Sequence, residues 1–310
     1  MCFPWNTKAS RRATKKIWWE PLFALIEHTY TLRIETWSEE PHQRLQLPVT
    51  MSHTEELKQE YKEHARAYNE EYPALPHGIL ETQLLASALG DCTGYTVLDL
   101  GGGTGVRARQ VIDLGATSVD VVDLSPDMLD AGRRTAERAG AKYADSIGWH
   151  EGDVAKPLSH LPLRQTYDLV MANWVMDHAA SLVELEAMWR NVAAYLAPGG
   201  RFVGVHCGDP YAPCAAQGKY GIRYKDLRDV PGGVFFRYEV ATVPPIDIMA
   251  TSWEATYSGS TEMMDKVGLG EIETEPYENA EVVKKDLGFW EQFLENPFMA
   301  VVKARKLART

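Results

Sequence analysis

Apolar positions recur along the chain with two periods that take turns. Leu57, Tyr61, Ala65 and Tyr68 are spaced by four and three, which predicts a polar helix over 54–72 with one apolar face, ended by Pro73 and Pro76. Ile79, Leu80, Leu84, Leu85, Ala88 and Leu89 predict a second helix over 77–90, stopped by Gly90. From 95 to 206 short apolar runs alternate with helical stretches. The runs are YTVLDL (95–100), SVDVVDL (118–124), SIGWHEG (146–152), YDLVMAN (167–173) and RFVGVH (201–206). Between them, a helix runs to about Leu114, another is capped by Ser125 with Pro126 at its first position, and a third spans 180–196 and stops at APGG. This alternation predicts a doubly wound α/β fold: a parallel sheet with helices on both faces and right-handed crossovers.

The alternation breaks at 207–258. This stretch holds five Gly, five Pro and eight aromatics, and it reads as a cap over the ligand site. Tyr211, Phe235, Phe236 and Trp253 are its candidate acceptor contacts. A helix over 259–269, a strand at EIETEPY (271–277), a helix near 281–295 and a strand at FMAVVKA (298–304) complete the pattern.

Composition narrows the class. The 310 residues are 45% hydrophobic and 24% charged, within the globular range. A net charge of −11 argues against unspecific binding to nucleic acid or anionic membranes. No apolar run reaches the roughly 18 residues of a membrane span, so no integral membrane contact is expected. Cys2, Cys92, Cys207 and Cys214 form no C-x-x-C pair and read as free thiols in a reducing compartment, which makes the cytoplasm the expected location. Residues 1–50 differ from the rest. Their first 19 positions carry Lys8, Arg11, Arg12, Lys15 and Lys16 and no acid. They read as a peripheral extension, with mitochondrial targeting as the alternative and Met51 as a second candidate start. Residues 51–310 hold the repeating strand and helix pattern and are expected to form one domain.

The chemistry begins at VLDLGGGTGVR (97–107), directly after a strand and before a helix. Glycines there let the backbone approach a ligand, and the helix start offers free N–H groups. A dinucleotide turn wants G-x-G-x-x-G, but counting from Gly101 the sixth position is Val106, and from Gly103 it is Ala108. The spacing is instead D-x-G-x-G-x-G: Asp99, Gly101, Gly103, Gly105. The second strand ends in Asp123, an acid placed to accept ribose hydroxyls in either a nicotinamide or an adenosyl site.

This turn resembles motif I of the class I S-adenosylmethionine (SAM)-dependent methyltransferases. Leu124, Pro126 and Met128, GDV (152–154), YDLVMANWVMDHA (167–179) and LAPGGRFV (196–203) are similar to the later motifs of that family. The resemblance covers about 95–206 and, with weaker matches, 54–305. It implies a seven-stranded sheet ordered 3-2-1-4-5-7-6 and SAM as cofactor. It also implies a loop around the methionine portion, apolar packing of Leu124 and Met128 on adenine, Asp153 on the adenine amino group and a Val154 backbone N–H. Asn173 and Trp174 fall at the carboxyl end of the fourth strand, where α/β folds bind ligands. Tyr61 or Tyr68 closes the pocket by the same analogy. The fourth-strand motif Asn173-Trp174-Val175-Met176 lacks the Asn/Asp-Pro-Pro-Tyr of nucleobase and glutamine-amide methyltransferases. The resemblance is closer to the small-molecule enzymes of ubiquinone biosynthesis and secondary metabolism. The expected activity is methyl transfer to a small organic acceptor, with no nucleic-acid partner. His178 and His206, just past two strand ends, are the candidate general bases, with Asp177 and Glu254 behind them. No metal set with convincing ligand spacing is evident. A SAM-binding protein without transfer and an NAD(P) oxidoreductase stay open as alternatives.

Overall fold

The structure, a computed structural model, describes residues 52–257 and 259–307. The extension read over 1–50 lies outside the described residues. In chain order the elements are α1 (His53–Glu70), α2 (Pro76–Leu89), β1 (Thr96–Leu100), α3 (Val106–Asp113), β2 (Ser118–Asp123), α4 (Pro126–Ala139), α5 (Ala141–Ala144), β3 (Ile147–Glu151), β4 (Tyr167–Asn173), α6 (Leu182–Tyr195) and β5 (Leu196–Cys207). There follow β6 (Ile222–Val230), β7 (Gly233–Val240), β8 (Ile246–Trp253), α7 (Glu262–Lys266), β9 (Leu269–Thr274), α8 (Glu281–Lys285), α9 (Leu287–Glu295) and β10 (Met299–Lys306).

Seven strands form one sheet, ordered β3-β2-β1-β4-β5-β10-β9. The first five pair in parallel, and β10 lies antiparallel to both β5 and β9. Setting aside the three strands of the insertion, this is the 3-2-1-4-5-7-6 order expected from the resemblance. Successive side chains of a strand face opposite sides, and the core divides accordingly. Val97, Val121, Leu169 and Met171 join the layer under α2 and α3. Leu98, Val122, Val170 and Ala172 join the layer with Leu185, Trp189 and Val192 of α6. Helix starts are fixed locally: the Ser52, Ser125 and Ser181 hydroxyls accept the N–H of Glu55, Met128 and Glu184. Chain order reverses between β1 and β4, so the loops leaving these neighbours diverge and open a crevice at the carboxyl edge.

The cap is more regular than its composition suggests. Its core is a three-stranded antiparallel sheet, β6-β7-β8. Ile222, Tyr224, Phe236, Tyr238, Ile248 and Ala250 face inward and are buried. The outer face carries a charge ladder in which Arg223 pairs Glu239 (2.7 Å), Lys225 pairs Asp247 (2.6 Å) and Arg237 pairs Asp247 (3.0 Å). Further boundaries differ from expectation: of the helix expected over 259–269 only α7 forms, and β9 already begins at Leu269. β5 starts at Leu196, because the APGG segment extends instead of forming a loop. The helix near 281–295 is two helices, α8 and α9, broken at Asp286, whose carboxylate caps the second by accepting the Phe289 N–H at 2.8 Å. No helix among the described residues is long and apolar enough to cross a membrane.

Candidate active site

The crevice between the β1 and β4 loops opens into a cavity of about 170 Å³. Its floor is the glycine turn. Gly101, Gly103 and Gly105 all have positive φ (68°, 53° and 66°), which is why glycine recurs at alternate positions. A Cβ on Gly101 would stand 2.4 Å from Val175, so the two loops could not close against each other. Gly105 begins α3, and its Cβ would meet the Trp149 ring at 2.5 Å. Its role is packing; it does not line the cavity.

Two carboxylates face this floor. Asp123 is held by main-chain donors: Gly103 N–H to Oδ2 at 2.8 Å and Ser125 N–H to Oδ1 at 2.9 Å. Burial nonetheless pushes it up to about 6. Asp99 is fully buried, and neither of its oxygens has a hydrogen-bond partner. Burial, reinforced by the Asp123 charge, pushes Asp99 up to about 7. Two orphaned carboxylate oxygens beside a cavity ask for a donor or cation from a ligand. Leu124, Met128, Asp153 and Val154 line the same cavity. Asp153 accepts the Ala155 N–H at 2.9 Å, and the Val154 carbonyl is fixed by Asn191 at 2.9 Å.

The opposite wall comes from the end of β4 and from α1. Asn173 lines the cavity with both amide atoms buried and unpartnered. Trp174 follows with φ 64°, an uncommon conformation for a bulky residue. Its N–H donates to the Val205 carbonyl at 2.6 Å and its indole Nε1 donates to Glu81 at 2.8 Å. From α1, Tyr61 and Tyr68 close the site, their rings 5.7 Å apart. The Tyr61 hydroxyl lies 2.7 Å from Nε2 of His178, whose Nδ1 is buried without a partner. Burial, and secondarily the nearby His53, drive His178 down to about 4, so it is neutral near neutral pH.

Of the expected site residues, Tyr61, Tyr68, Asp99, Gly101, Gly103, Asp123, Leu124, Met128, Asp153, Val154, Asn173, Trp174 and His178 line one cavity. His206 does not. It sits on β5, buried, with Nδ1 donating to the Cys207 carbonyl at 2.8 Å, and the sheet register keeps it away from the cavity. Of the cap aromatics, Phe236 faces inward, while half-exposed Tyr211 is tied to Asp229 and Phe235 stacks with Arg228 at 4.6 Å. Trp253 is buried, its indole donating to the Ala179 carbonyl at 3.0 Å.

Sequence reading missed a buried network at the base of the site. Glu81 on α2 accepts the Tyr72 hydroxyl at 2.6 Å and the Trp174 indole on Oε2, and Arg107 Nη2 at 2.6 Å on Oε1. Burial alone would raise Glu81, but Arg107 and these donors outweigh it and hold the carboxylate below its ordinary range. The available signal was a charged residue inside an apolar stripe, Glu81 between Leu80 and Leu84.

Comparison with known proteins agrees with the geometry. A family model described as a methyltransferase domain matches residues 97–200. The ribosomal protein L11 methyltransferase of Dechloromonas aromatica (strain RCB) is 33% identical over 108 residues, 34% of this chain and 30% of that protein. The chain thus matches about a third of that relative's length. Among solved structures, the CcbJ methyltransferase of Streptomyces caelestis superposes with a TM-score of 0.54 at 21% identity, covering 80% of this chain and 98% of that one. A DhpI–SAH complex gives 0.51 at 18% identity, covering 84% and 100%. At these identities the structures speak for the fold, and the family model speaks for the segment that builds the glycine turn and both carboxylates. Residues 97–200 therefore match a methyltransferase domain, set within an α/β fold that the solved methyltransferase structures share.

Proposed function

We propose that the protein transfers the methyl group of SAM to a small organic acceptor. The observation that carries this reading is the pair of unpartnered Asp99 oxygens beside the glycine turn and Asp123, in a cavity at the topological switch point. The donor set fits the cofactor. Asp99 would accept from its ammonium group, and Asp123 would accept from the ribose hydroxyls on the lone pairs its backbone donors leave free. Leu124 and Met128 would flank adenine, Asp153 would take the adenine amino group, and Tyr61 and Tyr68 would exclude water. When bound, SAM supplies a methyl group on an electrophilic sulfonium. The protein's part is then to align the acceptor and receive its proton.

His178 is the base this reading favours. Kept neutral by burial, it faces Tyr61, and the pair can pass a proton away from the acceptor. A weak base suffices, because the acceptor's proton becomes more acidic as the new bond to carbon forms. The absent Asn-Pro-Pro-Tyr motif and the net charge of −11 support a small acceptor. The L11 enzyme's match lies within about a third of the chain and carries no argument about the acceptor. Residues 207–258 are assigned to the acceptor side, and a role in secondary or quinone-like metabolism follows from the same reading.

Two measurements test this. Titration calorimetry with SAM and with NAD should show binding of SAM alone; NAD binding would replace the reading with an oxidoreductase. Release of S-adenosylhomocysteine (SAH) against a panel of amines, phenols and carboxylates should reveal turnover. SAM binding with no release by any acceptor class would leave a SAM-binding protein instead.

A further inference from the structure

A second, much smaller cavity lies behind the first. It measures about 10 Å³, room for one water-sized group, and shares Tyr68, Tyr72 and Trp174 with the cofactor cavity. Its far wall is the inner face of the cap sheet, with Phe236 and Tyr238. The charged residue on its lining is Asp177, 3% exposed. Asp177 Oδ2 accepts the Cys207 N–H at 3.0 Å, but Oδ1 is buried with no hydrogen-bond partner.

We infer that this cavity is an ammonium-binding subsite that anchors the acceptor. The inference rests on the methyltransferase reading above and adds the acceptor's chemical class. Aromatic faces carry negative potential and attract cations, and a buried carboxylate oxygen without a partner is costly. An anion would be repelled by both. An apolar group would leave Oδ1 unpaired. A hydroxyl would satisfy Oδ1 but gain nothing from the rings. A protonated amine gains from both, and its head is close to water in size. The nearby Ser252 hydroxyl is likewise buried with no hydrogen-bond partner and closes no bond to Asp177; burial pushes Asp177 up to about 7 against the Cys207 N–H, so a bound cation would also relieve a carboxylate that is poorly stabilised as an anion. A protonated nitrogen has no lone pair. It therefore anchors, and the nucleophile is another atom of the same molecule, one aromatic layer away in the larger cavity. Glu81 fixes that layer by holding the Tyr72 hydroxyl and the Trp174 indole.

The test uses the full chain saturated with SAH and titrated by ligand-observed NMR with methylammonium, with methanol as the neutral isostere and sodium chloride holding ionic strength constant. Methylammonium should bind saturably and at least tenfold more tightly than methanol. Asp177→Asn, which keeps the shape and can still accept the Cys207 N–H, should weaken it at least tenfold with SAH affinity unchanged. Ala250→Leu, which fills the cavity from β8, should do the same. Equal binding of methylammonium and methanol in the unmodified protein, or methylammonium binding undiminished in Asp177→Asn, overturns the subsite while leaving the methyltransferase reading intact. Failure of the unmodified protein to bind SAH overturns both. The wild-type selectivity decides the matter even where a variant does not fold.

Discussion

Asp99 shows how one residue can work against the empty fold and for the ligand. Its folded value, about 7, lies above the ordinary 3.8, so the folded state holds the proton more tightly than the unfolded chain. Stability from this group is full below about pH 4 and is lost as pH rises through about 7. Asp99→Asn should therefore match the unmodified protein near pH 3.5 and exceed it at pH 8, on the order of 2–4 kcal/mol in denaturant unfolding without ligand. The same variant should bind SAM more weakly by about 1.5–3 kcal/mol, as for a lost charge-assisted hydrogen bond. A carboxylate with a purely structural role would not give opposite signs in the two measurements. Glu81 should behave differently. It is ionised, buried and paired, so Glu81→Gln leaves Arg107 uncompensated and should cost about 3–5 kcal/mol of stability. A loss under about 1 kcal/mol in urea unfolding would contradict that pairing.

At the scale of the element, the glycine turn and the cap sheet divide the work. Gly103 contributes an N–H to Asp123 from a left-handed backbone, and a Cβ there would press on Met128 Cε at 3.0 Å. Gly103→Val should reduce SAM affinity at least tenfold while circular dichroism stays native, because a β-branched residue resists that φ. Retained affinity within about threefold would move the cofactor elsewhere. On β7, adjacent aromatics point to opposite faces. Phe236 lines the small cavity, whereas Phe235 lies outside over Arg228. Phe236→Leu should lower acceptor turnover about tenfold with SAM affinity unchanged, and Phe235→Ala should leave turnover within about twofold. Equal effects would assign the cap a structural role. The sheet itself was legible in the alternation of Val234, Phe236, Tyr238 and Val240, but the five Gly and five Pro of residues 207–258 masked the period.

For the whole molecule, the described residues build the seven-stranded sheet, both core layers and the cofactor cavity from residue 53 onward. A chain beginning at Met51 should therefore stay soluble and bind SAM within about threefold of the full chain. Aggregation, or lost binding with the fold intact, would make residues 1–50 part of the working protein.

The sequence by itself determined the order of strands and helices and the placement of Asp99, Asp123 and Asn173, because each depends on local spacing: apolar period, glycine at positive φ, an acid at a strand end. It could not choose between His178 and His206, which it places alike just past strand ends, although His206 lies within β5. Register decided that, turning His206 toward the Cys207 carbonyl and His178 toward Tyr61. Nor could it link Glu81 to Trp174, 93 residues away, or place Asp177 against the cap sheet. Such pairs are set by packing between distant segments, where the cost of a buried charge or an unpaired polar atom is met by whichever side chain the fold brings near.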